Sequence, residues 1–236
     1  MFKTIFKISI LLILTSFVGL FAANFSQSKK VLLKKIYPDH QITFYCGNPY
    51  EITRVGGKEK SLIIEDSKYY SPRKPFTKSG KENERAKRIE WEHVMPAENF
   101  GRHLSCWKEG GRKACKKDPI FNEMEADMHN LVPAIGEVNG DRSNYRYGAD
   151  IPKVGQYGQC KFEVDFKAKR AYPKEDIRGD IARIYFYMSD KYNINLSKQE
   201  RRMMEVWNKQ DPIDEWERVK NERVEKLQGN ANPYIK

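Results

Sequence analysis

Cysteine is scarce in this chain, with only four residues, and the patterns missing around it say more than the count. There is no Cys-x-x-Cys and no histidine pair at ligand spacing, which argues against a zinc centre on Cys46, Cys106, Cys115 and Cys160. Repeats and long low-complexity tracts are also missing, which sets aside solenoids and arrays. The one long apolar run lies at the extreme N-terminus and is too short to span a bilayer. Acidic residues are in deficit, with 32 Asp and Glu against 43 Lys and Arg. No dense cluster of metal-ligating side chains stands out, which counts against a multi-metal phosphoester hydrolase.

What is present is enough for one core. The chain has 236 residues, 39% of them hydrophobic and 12% aromatic, so a single globular domain over residues 24–236 is expected. Residues 1–23 begin with Lys3 and Lys7, continue as an apolar stretch from Ile8 and end in small residues near Ala22–Asn24, the pattern of a secretory signal peptide. Its removal lowers the formal net charge from +11 to +9. A protein this basic attracts polyanions, and the cations are spread along the chain, from Lys29, Lys30, Lys34 and Lys35 through Arg85, Lys87 and Arg88 to Arg112, Lys113, Lys116 and Lys117. An even cysteine count in an exported chain favours disulfides. Of three possible pairings, we expect Cys106–Cys115 to close a short Gly-Gly-containing loop and Cys46 to pair with Cys160.

Local patterns point to an α+β fold. Asp118-Pro119 reads as an N-cap with proline in the first turn of the next helix. Asp180 to Tyr192 puts Ile181, Ile184, Tyr185 and Met188 on one helical face. Ser197 with Glu200 opens a helix through about Asn208, and Asp214 to Leu227 forms another before Gly229. RIEWEHV (88–94) and KFEVDFKAKR (161–170) alternate like strands.

Chemistry-bearing residues concentrate in three stretches, RIEWEHVMPA (88–97), DMHNLVP (127–133) and GEVNGDRSN (136–144). In a regular strand Glu92 and His93 point to opposite faces, so they share one site only if the strand ends there, as Pro96 allows. A neutral imidazole takes a proton from water near pH 7, and an adjacent carboxylate holds a hard cation. Asn130 suits a hydrogen-bond brace and Asn139, nine positions on, a metal ligand at a helix. His129 reads as packing or a cap, His40 and His103 have no supporting context, Trp91 and Phe100 read as core, and Glu90 as exposed.

EWEHVMPAENFG, CWKEGGRKACKKDP, DMHNLVPAIGEVNGDRSN, GQYGQC and GDIARIYFYM, in this order, resemble the endonuclease I family of periplasmic and secreted bacterial nucleases. The resemblance runs from about Tyr45 to Tyr234. It implies a ββα-metal (His-Me finger) core surrounded by helices, and cleavage of DNA and also RNA to leave 5′-phosphates. It further implies His93 as general base, Glu92 and Asn139 as ligands of one Mg2+ (Mn2+ or Ca2+ substituting in binding), Asn130 as the brace of His93, and Arg112 as the arginine on the phosphate. The implied partner is nucleic acid held through its backbone, by a monomer without stable membrane association after signal cleavage. One departure concerns cysteine: the family commonly has Cys-Gly-Cys where this chain has Cys46-Gly47-Asn48, and a further cysteine where Arg218 follows Glu217. The rival reading is an exported polyanion-binding protein that does not cut; its binding would survive EDTA and be indifferent to His93.

Overall fold

A computed structural model describes residues 24–65, 67–150 and 155–236, so the expected signal peptide lies outside the described residues. Asn24 caps the first helix, α1 (Phe25–Val31), in a reciprocal capping box with Gln27. A π-helical turn over Leu32–Ile36 continues it. The Ser28 hydroxyl donates to the Ala126 carbonyl at 2.7 Å, and Leu32 and Ile36 bury against Met128, Leu131 and Val224. The N-terminal segment is thereby fastened to the middle of the chain.

Strands β1 (Tyr50–Val55) and β2 (Lys58–Ile63) form a hairpin around Gly56-Gly57, both at positive φ, as a two-residue turn matched to strand twist requires. Before it, the chain turns at buried Asn48. Its amide donates to Pro49 and Ile64 carbonyls, its carbonyl oxygen accepts from Ser67, and its backbone N–H donates to the Thr43 hydroxyl.

The functional region is built on β3 (Ile89–His93), the two helices α2 (Ala97–Gly101) and α3 (Ser105–Ala114), α4 (Pro119–Ala126), then β4 (Leu131–Ile135) and α5 (Gly136–Arg142). Asp118 caps α4 and Pro119 enters its first turn, as expected. β3 and β4 pair antiparallel, with Glu92 opposite Val132 and His93 opposite Leu131. β4 runs directly into α5, so the antiparallel pair β3–β4 is followed at once by a helix. The helix can lie this close because Gly136 and Gly140 carry no side chain. A Cβ at Gly140 would come within 2.4 Å of the Arg85 guanidinium, and one at Gly136 within 2.8 Å of the Arg85 carbonyl.

A second small sheet has the order β5-β7-β6, from β5 (Arg146–Tyr147), β6 (Glu163–Asp165) and β7 (Arg170–Tyr172). The expected strand over 161–170 is therefore a tight hairpin. Asp165 is the reason: its carboxylate accepts the backbone N–H groups of Lys167 and Ala168 at 2.9 and 2.8 Å, which folds the chain back on itself. Helices α6 (Arg178–Lys191), α7 (Lys198–Gln210) and α8 (Glu215–Gln228) close the molecule. Ser197 caps α7 as its sequence signature predicts, Asp214 caps α8, and Gly229 ends α8 at φ 90°. α6 is buried on nearly every face, and Arg183 within it is paired with Glu217 at 2.5 Å. The fold class is α+β, as expected. Among the described residues no helix is long and apolar enough to cross a membrane.

Both disulfides pair as expected, Cys46–Cys160 and Cys106–Cys115. The segment inside the second is not a free loop. It is helix α3 broken at Gly110 and Gly111, where Gly111 takes φ 63°. Two adjacent glycines bring too little helix propensity to continue the spiral, and the bridge holds its two halves together.

Candidate active site

β3 divides the site in two. Along this strand Glu90 and Glu92 face α5, while Trp91 and His93 face the aromatic side of the N-terminal segment. The alternation expected from the sequence therefore holds to the last residue, and the strand ends at His93.

On the first side, the His93 Nε2 lies 2.8 Å from the main-chain oxygen of Glu125. A carbonyl only accepts, so Nε2 carries the proton and Nδ1 keeps its lone pair. Nδ1 takes no hydrogen bond from the described residues. Phe25 and Phe100 pack against the imidazole with ring centroids at 4.8 and 5.8 Å. Burial pushes the His93 pKa down to about 3, and the positive charges of Arg112, Arg142 and Lys29 add to this against the pull of the Glu125 carbonyl. The ring is neutral at any pH where the fold is expected to work.

The Glu125 side chain accepts from Arg112 Nε at 2.6 Å. One residue of α4 thus holds the imidazole through its backbone and the guanidinium through its carboxylate. Arg112 follows the Gly-Gly break inside the Cys106–Cys115 bridge and keeps 46% of its side chain exposed, so its remaining N–H groups are open to solution.

On the second side, Glu92 is 4% exposed. Its Oε1 accepts from the Tyr45 hydroxyl at 3.0 Å and meets Arg142 Nη1 at 3.0 Å, while Oε2 takes no side-chain hydrogen bond from the described residues. Burial pushes Glu92 up to about 7, despite Arg142 and Tyr45. Tyr45 in turn touches the Tyr147 hydroxyl at 2.6 Å and is fixed in sequence beside Cys46. Asn139 Nδ2 donates to Glu90 Oε2 at 3.2 Å, and because a carboxylate only accepts, the amide is oriented with Oδ1 turned away. That oxygen has no donor among the described residues.

The brace expected at Asn130 acts on the backbone and not on the imidazole. Its Oδ1 accepts from Met95 N at 2.7 Å and its Nδ2 donates to Met95 O at 3.0 Å, fixing the chain two residues past His93. Glu90 is half-buried and paired with Arg85 and Arg88, not exposed as expected, and it shares the face of Glu92 as their alternation implied. His129 is a packing residue: its Nε2 sits 2.8 Å from the Asn230 carbonyl and its ring lies against Tyr187.

Sequence reasoning missed Arg142, which is fully buried and donates to the His93 and Val94 carbonyls at 3.1 and 2.6 Å as well as meeting Glu92. Its spacing three residues after Asn139, on the same helical face, was the available signal. Tyr45, Glu125 and Phe25 carried no such signal, since long-range packing alone brings them in. Among the described residues no group of three or more His, Cys, Asp and Glu could hold a metal ion. Two oxygens are left without a side-chain donor among the described residues, Glu92 Oε2 and Asn139 Oδ1, each while its sister atom is held. Two hard oxygens of this kind suit a cation that keeps most of its water, such as Mg2+, and do not suit zinc.

A family model described as Endonuclease I matches residues 24–236. The chain is 49% identical over 204 residues to an extracellular deoxyribonuclease of Aeromonas hydrophila, covering 86% of this chain and 84% of that protein. It is 50% identical to a periplasmic deoxyribonuclease of the same organism, covering 86% and 81%. It is 47% identical to Endonuclease-1 of Buchnera aphidicola subsp. Baizongia pistaciae, covering 90% and 82%.

Proposed function

The chain belongs to the endonuclease I family, and from this premise we propose that it is a Mg2+-dependent, sequence-tolerant endonuclease that hydrolyses DNA, and also RNA, to leave 5′-phosphates. Membership makes it an enzyme, a nuclease of the space outside the cytoplasm, as the names of its relatives state for them. The observation that carries the mechanistic reading is the His93 hydrogen bond to the Glu125 carbonyl. It fixes the tautomer in which Nδ1 is a neutral acceptor, the form a general base needs.

In this reading β3, β4 and α5 are the ββα-metal core. His93 Nδ1 takes a proton from the attacking water, and Nε2 is steadied by Glu125 as the ring becomes cationic. Glu92 Oε2 and Asn139 Oδ1 would hold one Mg2+, which neutralises charge growing on the leaving 3′-oxygen. Arg112 offers its free N–H groups to the phosphate oxygens. Asn130 and Arg142 fix the backbone on which His93 sits. The remaining cations contact phosphates without reading base edges, so binding is salt-dependent and tolerant of sequence.

The test is nicking of supercoiled plasmid by the purified mature chain, with Mg2+ and with EDTA. Cleavage should require the metal, and His93→Ala should lose about 10²–10⁴-fold in rate while still binding duplex in Ca2+. Cleavage that persists in excess EDTA, or a His93→Ala protein with wild-type rate, would overturn the proposal.

A further inference from the structure

The residues of α1 lie far in sequence from the three chemistry-bearing stretches, yet the helix packs on the base. The Phe25 ring has its centroid 4.8 Å from that of His93, tilted by 35°. The same ring has the Arg112 guanidinium 5.6 Å from its centroid and the Lys29 ammonium at 4.7 Å. Its ring thus meets both the base and the phosphate arginine directly. Glu125, the other link between those groups, reaches His93 through its backbone.

The placement is built rather than incidental. α1 is fixed at its start by the Asn24–Gln27 capping box, and in its middle by Ser28 on Ala126, the residue next to Glu125. Beyond it, Leu32 and Ile36 are fully buried. A single hydrogen bond at Nε2 leaves the imidazole free to rock about that contact. A ring packed against it restricts the rocking, as Phe100 does from α2. The Phe25 ring also offers two cations its electron-rich π system. Lys29 is half-buried, and among the described residues its ammonium has no carboxylate within ion-pair distance. A charge held over the same ring as Arg112, without a counter-ion among the described residues, is suited to a polyanionic substrate.

We propose that α1 is part of the active site, with Phe25 the positioning residue that clamps His93 and Arg112, and Lys29 a second cation that binds substrate phosphate next to the cleaved one. The inference rests on the assignment of His93 and Arg112 above. It makes the N-terminal helix a working element of the enzyme and not a trailing end of the scaffold.

The experiment compares Phe25→Ala, Phe25→Leu, Lys29→Ala, Lys29→Arg and His93→Ala on the same duplex substrate under saturating Mg2+. Phe25→Ala should lower kcat about 10- to 100-fold with little change in KM, as a small misplacement of catalytic groups does. Phe25→Leu, which keeps an apolar wall, should recover most of that loss. Diethyl pyrocarbonate should label His93 faster in Phe25→Ala than in the wild type, read by peptide mass spectrometry, which a general loss of stability well below the melting point does not produce. Lys29→Ala should raise KM, leave kcat nearly unchanged and reduce the slope of log KM against log salt by about 1, with Lys29→Arg restoring both. Wild-type kcat and labelling in Phe25→Ala, or a rise in kcat, would overturn the clamp, and an unchanged salt slope in Lys29→Ala would overturn the phosphate contact. A His93→Ala protein that remains active would instead refute the function on which the inference stands.

Discussion

Removing each disulfide separately should show that one bridge protects the fold and the other protects the chemistry. Cys46–Cys160 closes a sequence separation of 114 residues and Cys106–Cys115 one of 9. Loop-closure entropy puts their contributions at about 4.8 and about 2.6 kcal/mol. With about 2–4 °C of Tm per kcal/mol at this chain length, Cys46→Ser/Cys160→Ser should melt about 10–19 °C below the wild type. Cys106→Ser/Cys115→Ser should melt only about 5–10 °C below it on the same scaling. Activity should rank the other way. Arg112 lies inside the short bridge, just after two glycines that leave α3 free to swing, and its hold on Glu125 depends on that geometry. At 25 °C, where both variants are folded, Cys106→Ser/Cys115→Ser should lose about tenfold or more in kcat, because even an ångström of displacement of a phosphate-binding group is costly. Differential scanning calorimetry gives the first ranking and initial rates of plasmid nicking the second. A Cys106→Ser/Cys115→Ser enzyme with full kcat, or one less stable than the long-bridge variant, would refute the reasoning.

Other outcomes follow from buried charges. Arg142→Met should cost about 3–5 kcal/mol, since it leaves the Glu92 carboxylate 4% exposed with its cation gone, and urea unfolding measures this directly. A cost under about 1 kcal/mol would show that Arg142 is dispensable to the fold. Asn139→Ala should weaken Mg2+ binding in calorimetry with a substrate analogue present, and Glu90→Gln should do so less, because its amide no longer orients Asn139 as a carboxylate does. Equal affinity in all three proteins would remove Asn139 from the ligand set.

On the acid side, His129 and Asp127 add to the loss of stability that buried His93, held at about 3, imposes as pH falls below about 6.5. Burial holds His129 down at about 4, so the unfolded chain binds that proton first and stability falls as pH drops from about 6.5 to 4. Burial alone would raise Asp127, but Lys191, His129 and the Tyr187 and Tyr192 hydroxyls outweigh it and bring it to about 2. Its contribution, roughly 2 kcal/mol, is present above the unfolded carboxylate value and lost between about pH 4 and 2. Asp127→Asn should flatten the Tm profile in that lower window, and a profile as steep as wild type would show that other carboxylates carry it.

The parts of the molecule legible in sequence were those fixed by short-range rules. Caps at Asp118 and Ser197 and the strand within 88–94 follow from local backbone needs, and each was where its pattern put it. KFEVDFKAKR failed because alternation cannot register that one aspartate captures two backbone amides and turns the chain. Within the site, residues adjacent to motif positions were readable and those that arrive through folding were not. Tyr45 reaches Glu92 across 47 positions, and Phe25 reaches His93 across the whole N-terminal segment. Alternation placed Glu90 on the face of Glu92, where it meets Asn139, but could not tell that a helix such as α5 would cover it.

The turn at Asn48 has a consequence for how the chain matures. Where the resemblance to the family leads one to expect a second cysteine, hydrogen bonds from one buried amide close the corner instead. Oxidation then has a small combinatorial search: four thiols admit three complete pairings, whereas six admit fifteen. One of the two native bridges joins near neighbours and can form early, after which the remaining two thiols have only each other. Such a chain has little need of a shuffling catalyst once it is across the membrane. Restoring cysteine at position 48 would lengthen that search, and would do so even if the finished protein were more stable.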